Sequence, residues 1–468
     1  MSAAPNVQGA VARRGALRRE LGATFALSWP LVLANLAINV MPAINAAMLG
    51  RLSPRALAAG ALAFNLLQPS LVLGVGVVAA LSPIAAAKIG AGADRDGLRR
   101  ATHQALLSAL LIAAAAWIAL WRTQSILVAL GEPQDLAEEA AAFMRGFQWG
   151  LAPTLMFFAG RSVFAALERP RPTLVAGLVA AGFNVLANDA LVFGKFGMPA
   201  LGVFGSGLAT TLSETLMFLI LVAASLIDPR MRALRLFALP WSPARRELAA
   251  LWRLGLPIGA TIVAEVGVFN AATLVMGLIG PVALAGHAIA LQIASLAFMV
   301  PLGLGQAATV RVGLAFGARD ATRIARAGWS AFGLTAAFAL FSATTMIAAP
   351  RLLIAPFIDV TAPENAATVG TAAQGRGDLP DFRREPDGAR QHAARPARFA
   401  LAARHRARRL LGDRRADRRR ARLRRRARPR RRVDRARLRA GGCGRTADDP
   451  LARQGTAGFS APRRRLRR

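Results

Sequence analysis

Apolar residues fill a series of long windows through the first 350 positions, separated by short stretches rich in Arg, Gly and Pro. The windows lie at 24–48, 56–82, 101–121, 140–166, 173–194, 203–226, 254–279, 284–312 and 328–349. A helix of about 20 residues crosses roughly 30 Å of hydrocarbon, and every window is long enough to do so. Backbone groups inside a bilayer must be bonded within their own segment, so the windows predict helices. The pattern predicts an all-α polytopic membrane protein with nine spans.

The polar positions between the windows alternate in charge. Arg13, Arg14, Arg18 and Arg19, then Lys88, Arg95, Arg99 and Arg100, then Arg169 and Arg171, then Arg230, Arg232, Arg235, Arg245, Arg246 and Arg253, and finally Arg319, Arg323 and Arg326 fall on one side. The other side holds only Arg51, Arg55, Arg122, Lys195 and Arg351. By the positive-inside rule the N-terminus is expected in the cytoplasm. Residues 1–23 lack the short apolar core and cleavage site of a signal peptide and are read as a cytoplasmic N-terminal segment.

The windows also repeat. "WPLVLANLAINVMPAINAAMLGRLSPRALAAGALAFN" from Trp29 lies over "LPIGATIVAEVGVFNAATLVMGLIGPVALAGHAIALQ" from Leu256 without a gap, pairing Pro30 with Pro257, Gly50 with Gly277, Asn65 with Gln292 and Gly90 with Gly317 at a constant offset of 227. Both copies start from the basic side, so two parallel lobes related by an axis along the membrane normal are expected. The organisation read from this is a six-helix N-lobe at 24–226, a linker at 227–253 and a partial three-helix C-lobe at 254–370.

Composition changes this picture at residue 371. Beyond it the chain has 33 Arg, no Lys and 9 acidic residues, so the segment 371–468 carries +24 of the total charge of +35. After nine spans it would lie on the outer side, against the charge rule obeyed upstream. Runs of CGN arginine codons read one base later encode Gly, Ala, Val, Asp or Glu. Back-translated and shifted, residues 374–396 can read KVAAIFQIFDGSQTVLASTLRGL, a membrane-helix composition. The tail is therefore read as out of frame, disordered as written, and as truncating the second lobe. A membrane-anchored nucleic-acid-binding arm is the rival from another class, but Phe382, Phe399 and Phe459 are too sparse for a base-stacking platform, and no nucleic-acid partner is expected.

The candidate chemistry is that of a transporter and not of an enzyme. No Walker motif, Ser–His–Asp arrangement or zinc spacing is present, and the single cysteine, Cys443, forms no internal disulfide. Glu265 stands inside the seventh window, where an ionised carboxylate costs about 2.5–3.5 kcal/mol. Asn184 and Asn188 share a helix face, with Asp189 turned about 100° away. Thr210, Thr211 and Glu214 follow in the sixth window. Arg145, Arg161 and Arg311 read as structural or snorkelling cations, His287 as a helix-end residue, and Phe157, Phe158, Phe269 and Phe298 as packing or cavity rings. The glycines at Gly74, Gly76, Gly303 and Gly305 read as points of close helix approach.

The strings "AINAAMLGRLSPRALAAGAL", "LGEPQDLAEEAAAFMRGFQWGLAP", "RSVFAALERPRPTL", "NVLANDALVFGKFGMPALGVFGSGLATT" and "GLPIGATIVAEVGVF" together resemble the multidrug and toxic compound extrusion (MATE) family, in its NorM-like branch, from about Leu21 to Val369. The resemblance implies two six-helix lobes around a cavity that opens alternately to each side, expelling organic cations as Na⁺ or H⁺ enters, with no cofactor and a monomer in a bacterial inner membrane. It implies a coupling role for Glu265. It also places Asn45 where many relatives have Asp in a D-x-x-M-x-G motif, and Asn184 and Asn188 where relatives place Asn and Asp or Asn. The cation-coupling set is thus Glu265, Asn45, Asn184, Asn188 and Asp189, and the cavity set is Thr210, Glu214, Asn65 and Gln292. The family's Asp on the tenth helix would be the D of IFQIFDGSQ in the shifted frame. Export of a lipid-linked or polysaccharide precursor is the alternative within transport.

Overall fold

The computed structural model describes residues 7–92, 95–238, 241, 243–355 and 369. The arginine-rich segment 371–468, with its out-of-frame reading, lies outside the described residues.

The described chain is helical throughout. In order it forms α1 (Val7–Leu52), α2 (Pro54–Ala79), α3 (Leu81–Gly90), α4 (Arg95–Leu120), α5 (Thr123–Ala129), α6 (Gln134–Phe147), α7 (Leu151–Ala166), α8 (Arg171–Phe193), α9 (Gly202–Ile227), α10 (Pro229–Arg232), α11 (Arg245–Ile279), α12 (Pro281–Gly317), α13 (Ala321–Ala348) and α14 (Pro350–Ile354). Eight helical segments among the described residues are long and apolar enough to cross a membrane, α2 and α3 counting as one. The remaining window, the fourth at 140–166, is made of two helices. A 3₁₀ turn at Gln148–Gly150 separates α6 from α7, and neither piece is long enough alone. The linker expected at 227–253 is shorter than its composition suggested, because α11 already begins at Arg245.

Helix boundaries repeat with the sequence. α1 ends at Leu52 and α11 at Ile279, α2 starts at Pro54 and α12 at Pro281, and α3 and α12 end at Gly90 and Gly317, all with the offset of 227. A proline at N1 suits both starts, since the amide it lacks would have had no helical acceptor there. At Ser53 the hydroxyl also accepts the Ala56 N–H, closing the first turn of α2.

The lobes touch through a self-complementary surface. A Cβ added at Gly76 would run into the backbone of Gly259, and one at Gly303 into Val32; residues 76 and 303 are repeat mates, and so are 32 and 259. Likewise Gly90 lies on Leu314 and Gly317 on Ala87, again mates of one another. Ala86 and Gly313, mates themselves, are in direct contact, which places the pseudo-two-fold axis between them. In a bilayer helices associate by close packing more than by apolar burial, so missing side chains at such crossings are what allow them.

These contacts all lie toward the end that carries Lys88, Arg95 and Arg319. Ion pairs join the lobes there: Arg311 of α12 holds Glu20 of α1 at 2.6 Å and Glu168, just after α7, at 2.6 Å. Arg100 of α4 holds Glu247 of α11 at 3.3 Å. Higher in the bundle the Arg161 guanidinium donates to Asn35 Oδ1 and to Gln306 Oε1, each at 2.5 Å. The N-lobe core is filled by Phe157, Phe164, Leu106 and Leu155, all fully buried among alanines of α2, α4 and α7.

Candidate functional site

Two neighbouring polar clusters form inside the N-lobe, both on α9. Ser206, Thr210 and Ser213 recur at helical spacing and point one polar face toward α1 and α8. Asn45 Nδ2 donates to Thr210 Oγ1 at 2.8 Å, and Asn188 Nδ2 donates to Asn45 Oδ1 at 3.0 Å. Ser206 Oγ donates to Asn188 Oδ1 at 2.8 Å, and Asn184 Nδ2 donates to Ser213 Oγ at 3.2 Å. Asn184 and Asn188 are completely buried, Thr210 nearly so, and Asn45 half-buried.

This cluster joins four of the residues singled out from the sequence: Asn45, Asn184, Asn188 and Thr210. Ser206 and Ser213 were missed, although their spacing of four before and three after Thr210 puts them on its helix face. The cluster is neutral. Amides and hydroxyls can hydrogen-bond a solute but cannot change charge by losing a proton near neutral pH.

The second cluster surrounds the 3₁₀ turn. A break in a membrane helix frees carbonyls that must find donors. Trp117 Nε1 donates to the Gln148 carbonyl at 2.6 Å, while Thr211 Oγ1 donates to the Gly146 carbonyl at 2.7 Å and lies 3.2 Å from that of Phe147. Glu214, on the same face one turn past Thr211, lays its carboxyl on Gly150, where a side chain would collide with Oε2. Glycine at 150 is therefore required by the close approach of the acid. Glu214 Oε2 and the adjacent Thr154 Oγ1 are both buried and have no partner but each other.

The remaining candidates lie elsewhere. Asp189 is held by Lys195, whose Nζ is 2.9 Å from both carboxylate oxygens at the exposed end of α8. Glu265 of α11 is exposed and no described residue pairs with it; Asn65 of α2 and Gln292 of α12 are exposed as well. Arg161 is 5 % exposed and spans the lobes, with its guanidinium 5.7 Å from the Phe158 ring. Its spacing gave no sign of this role, because the acceptors Asn35 and Gln306 lie 126 and 145 residues away in sequence.

Comparison with known proteins agrees with the repeat. The MatE family model matches residues 30–188 and again 257–367, two matches whose starts are separated by the same 227 residues. A probable multidrug resistance protein NorM of Mesorhizobium japonicum is 44 % identical over 366 residues, 78 % of each chain. One of Brucella suis is 42 % identical over 349 residues, 74 % of each chain. Among solved structures, the eukaryotic MATE transporter AtDTX14 superposes with a TM-score of 0.64 at 20 % identity, covering 76 % of this chain and 78 % of that one. A multidrug resistance MATE family transporter in an outward-facing conformation gives a TM-score of 0.65 at 20 % identity over 76 % and 78 %. The duplicated helical frame, the two family matches and the relatives above 40 % identity place this chain in the MATE family of membrane transporters.

Proposed function

We propose that the chain exports organic cations or related xenobiotics from the cytoplasm in exchange for Na⁺ or H⁺. The observation that carries this reading is the pair of lobes closed against each other at one end of a pseudo-two-fold axis. A surface of this kind, with mated glycines and ion pairs at its rim, can open and close as a unit. The basic loops at the closed end support its placement on the cytoplasmic side. The neutral Asn45, Asn184, Asn188 and Thr210 cluster supplies hydrogen bonds to the solute, while Glu265 carries charge in the other lobe.

Support for transport in place of nucleic-acid binding is that the family match ends at residue 367, before the arginine-rich composition begins. The same boundary supports an out-of-frame origin for the segment after about residue 370, which the coding DNA around codons 365–375 tests directly. Ethidium efflux from proteoliposomes under imposed Na⁺ and H⁺ gradients tests the transport reading. Glu265→Gln is expected to abolish gradient-driven export while leaving dye binding within about threefold. Unchanged export removes Glu265 from the coupling.

A further inference from the structure

The N-lobe contains a buried carboxyl that no charge among the described side chains balances. Glu214 is the only ionisable residue of α9, and it faces the 3₁₀ turn between α6 and α7. Its Oε2 and the Oγ1 of Thr154, a residue only 6 % exposed, are buried with no partner but each other. Charges on the surrounding elements are committed elsewhere. On α6, Arg145 and Glu138 are exposed, and Asp135 and Glu139 are held by Arg55. On α7, Arg161 is bound to Asn35 and Gln306. On α8, Arg171 is exposed and Asp189 is bound to Lys195; on α10, Arg232 is exposed; α1 offers the amide Asn45.

An ionised carboxylate at membrane depth costs about 2.5–3.5 kcal/mol without a partner, and binding a positive ion removes that cost. Hard metal cations need about six oxygens. Here the buried side-chain oxygens left for an ion are those of one carboxyl and one hydroxyl, and the carbonyls of Gly146, Phe147 and Gln148 already accept from Thr211 and Trp117. A proton needs a single oxygen. We propose that Glu214 is a proton-exchanging site of the N-lobe, loaded and emptied at the 3₁₀ turn of the broken helix.

The position makes exchange consequential. A 3₁₀ segment within a helix is a common hinge, and Gly150 in this one lies directly against the carboxyl. Adding or removing the proton changes the charge that α9 presents to the hinge, while Asn45 and Asn188 of the neighbouring cluster stay neutral. The proposal names H⁺ as an ion this lobe handles, and its link to export rests on the transport reading above.

The test uses the full chain reconstituted in phosphatidylcholine–phosphatidylglycerol vesicles, with infrared difference spectra recorded across a pH titration. The wild-type protein is expected to show the band of a protonated, weakly hydrogen-bonded carboxyl. Glu214→Gln is expected to lose it, Glu265→Gln to keep it, and Thr154→Val to keep it at a shifted frequency. A band that persists in Glu214→Gln overturns the proposal, as does a band displaced by Na⁺ at constant pH. If Glu214→Gln does not reconstitute, Thr154→Val decides: an unshifted band overturns the proposal and a shifted one supports it. Ethidium export is measured in the same vesicles, and its absence in wild type refutes the transport reading while the infrared band still decides for or against Glu214.

Discussion

Replacing Glu20 by Gln is expected to loosen the closed end. Arg311 directs both Nε and Nη2 at Oε1 of Glu20, at 2.9 and 2.6 Å, and sends Nη1 to Glu168. The Arg311 and Glu20 side chains are 10 % and 12 % exposed, whereas Glu168 is 43 % exposed. Removing one partner of a buried pair costs about 3–5 kcal/mol. The remaining bond to the half-exposed Glu168 recovers at most about 1 kcal/mol. A net loss of at least about 2 kcal/mol changes the ratio of closed to open lobes by about 30-fold or more, because each 1.4 kcal/mol is roughly a factor of ten. Spin labels at Arg171→Cys in the N-lobe and Thr322→Cys in the C-lobe, in a Cys443→Ser background, would report the separation by pulsed electron resonance. Glu20→Gln should add a longer-distance population; Asp96→Asn, which removes only the exposed Asp96–Arg99 pair within α4, should not. Exchanging the charges, Glu20→Arg with Arg311→Glu, should restore part of the closed population. An unchanged distance distribution in Glu20→Gln would refute the inter-lobe lock.

Other consequences follow from the same geometry. Asn188→Ala leaves the Ser206 hydroxyl and the Asn45 carbonyl without a buried partner, so a loss of about 1–3 kcal/mol and a lower melting temperature in detergent are expected; a melting temperature equal to wild type would show that the cluster is not closed by this residue. Trp117→Phe removes the donor to the Gln148 carbonyl and should cost about 1 kcal/mol, read as faster amide exchange around Gln148–Gly150 than around α8. Gly76→Val drives a side chain into the Gly259 backbone and should shift the spin-label pair to longer distances, whereas Gly305→Ala, with nothing within 4 Å of its added Cβ, should leave it unchanged.

The features legible in the sequence were the periodic ones. Apolar windows, basic loops and the 227-residue offset are local or repeated signals, and they gave the helices, the parallel halves and the crossing glycines Gly76 and Gly303. The 3₁₀ turn was not read from the sequence, although Pro153, three residues after Gly150, cannot donate to the Trp149 carbonyl and marks a break in the window; the donors that satisfy the freed carbonyls, Trp117 and Thr211, lie on other helices. Arg311 was expected to snorkel or pair structurally. Its partners could not be named in advance, since Glu20 lies 291 residues away on α1. Asp189 was singled out as an acidic neighbour of Asn188, and its pairing with Lys195, six residues on at the helix end, had no signal beyond proximity in sequence. Thr154 gave no sign of its place beside Glu214, because that contact joins two helices well separated in sequence.

The symmetric frame and the asymmetric chemistry have different causes. Surfaces that roll on one another around a two-fold axis must be complementary to their own mates, so the repeat retains Gly90 with Gly317, and keeps a glutamate near the start of each lobe, Glu20 and its mate Glu247, each bound to an arginine of the other lobe. Nothing in that requirement extends to the polar interior. The mate of Asn45 is Ala272, and the mate of Glu265 is Ile38, so neither first-helix group recurs in the other lobe. On the proposed reading an ion loaded in one lobe would act on the shared closing surface from one side, and it would favour one arrangement of the lobes by the difference in its affinity for the two states and by no more.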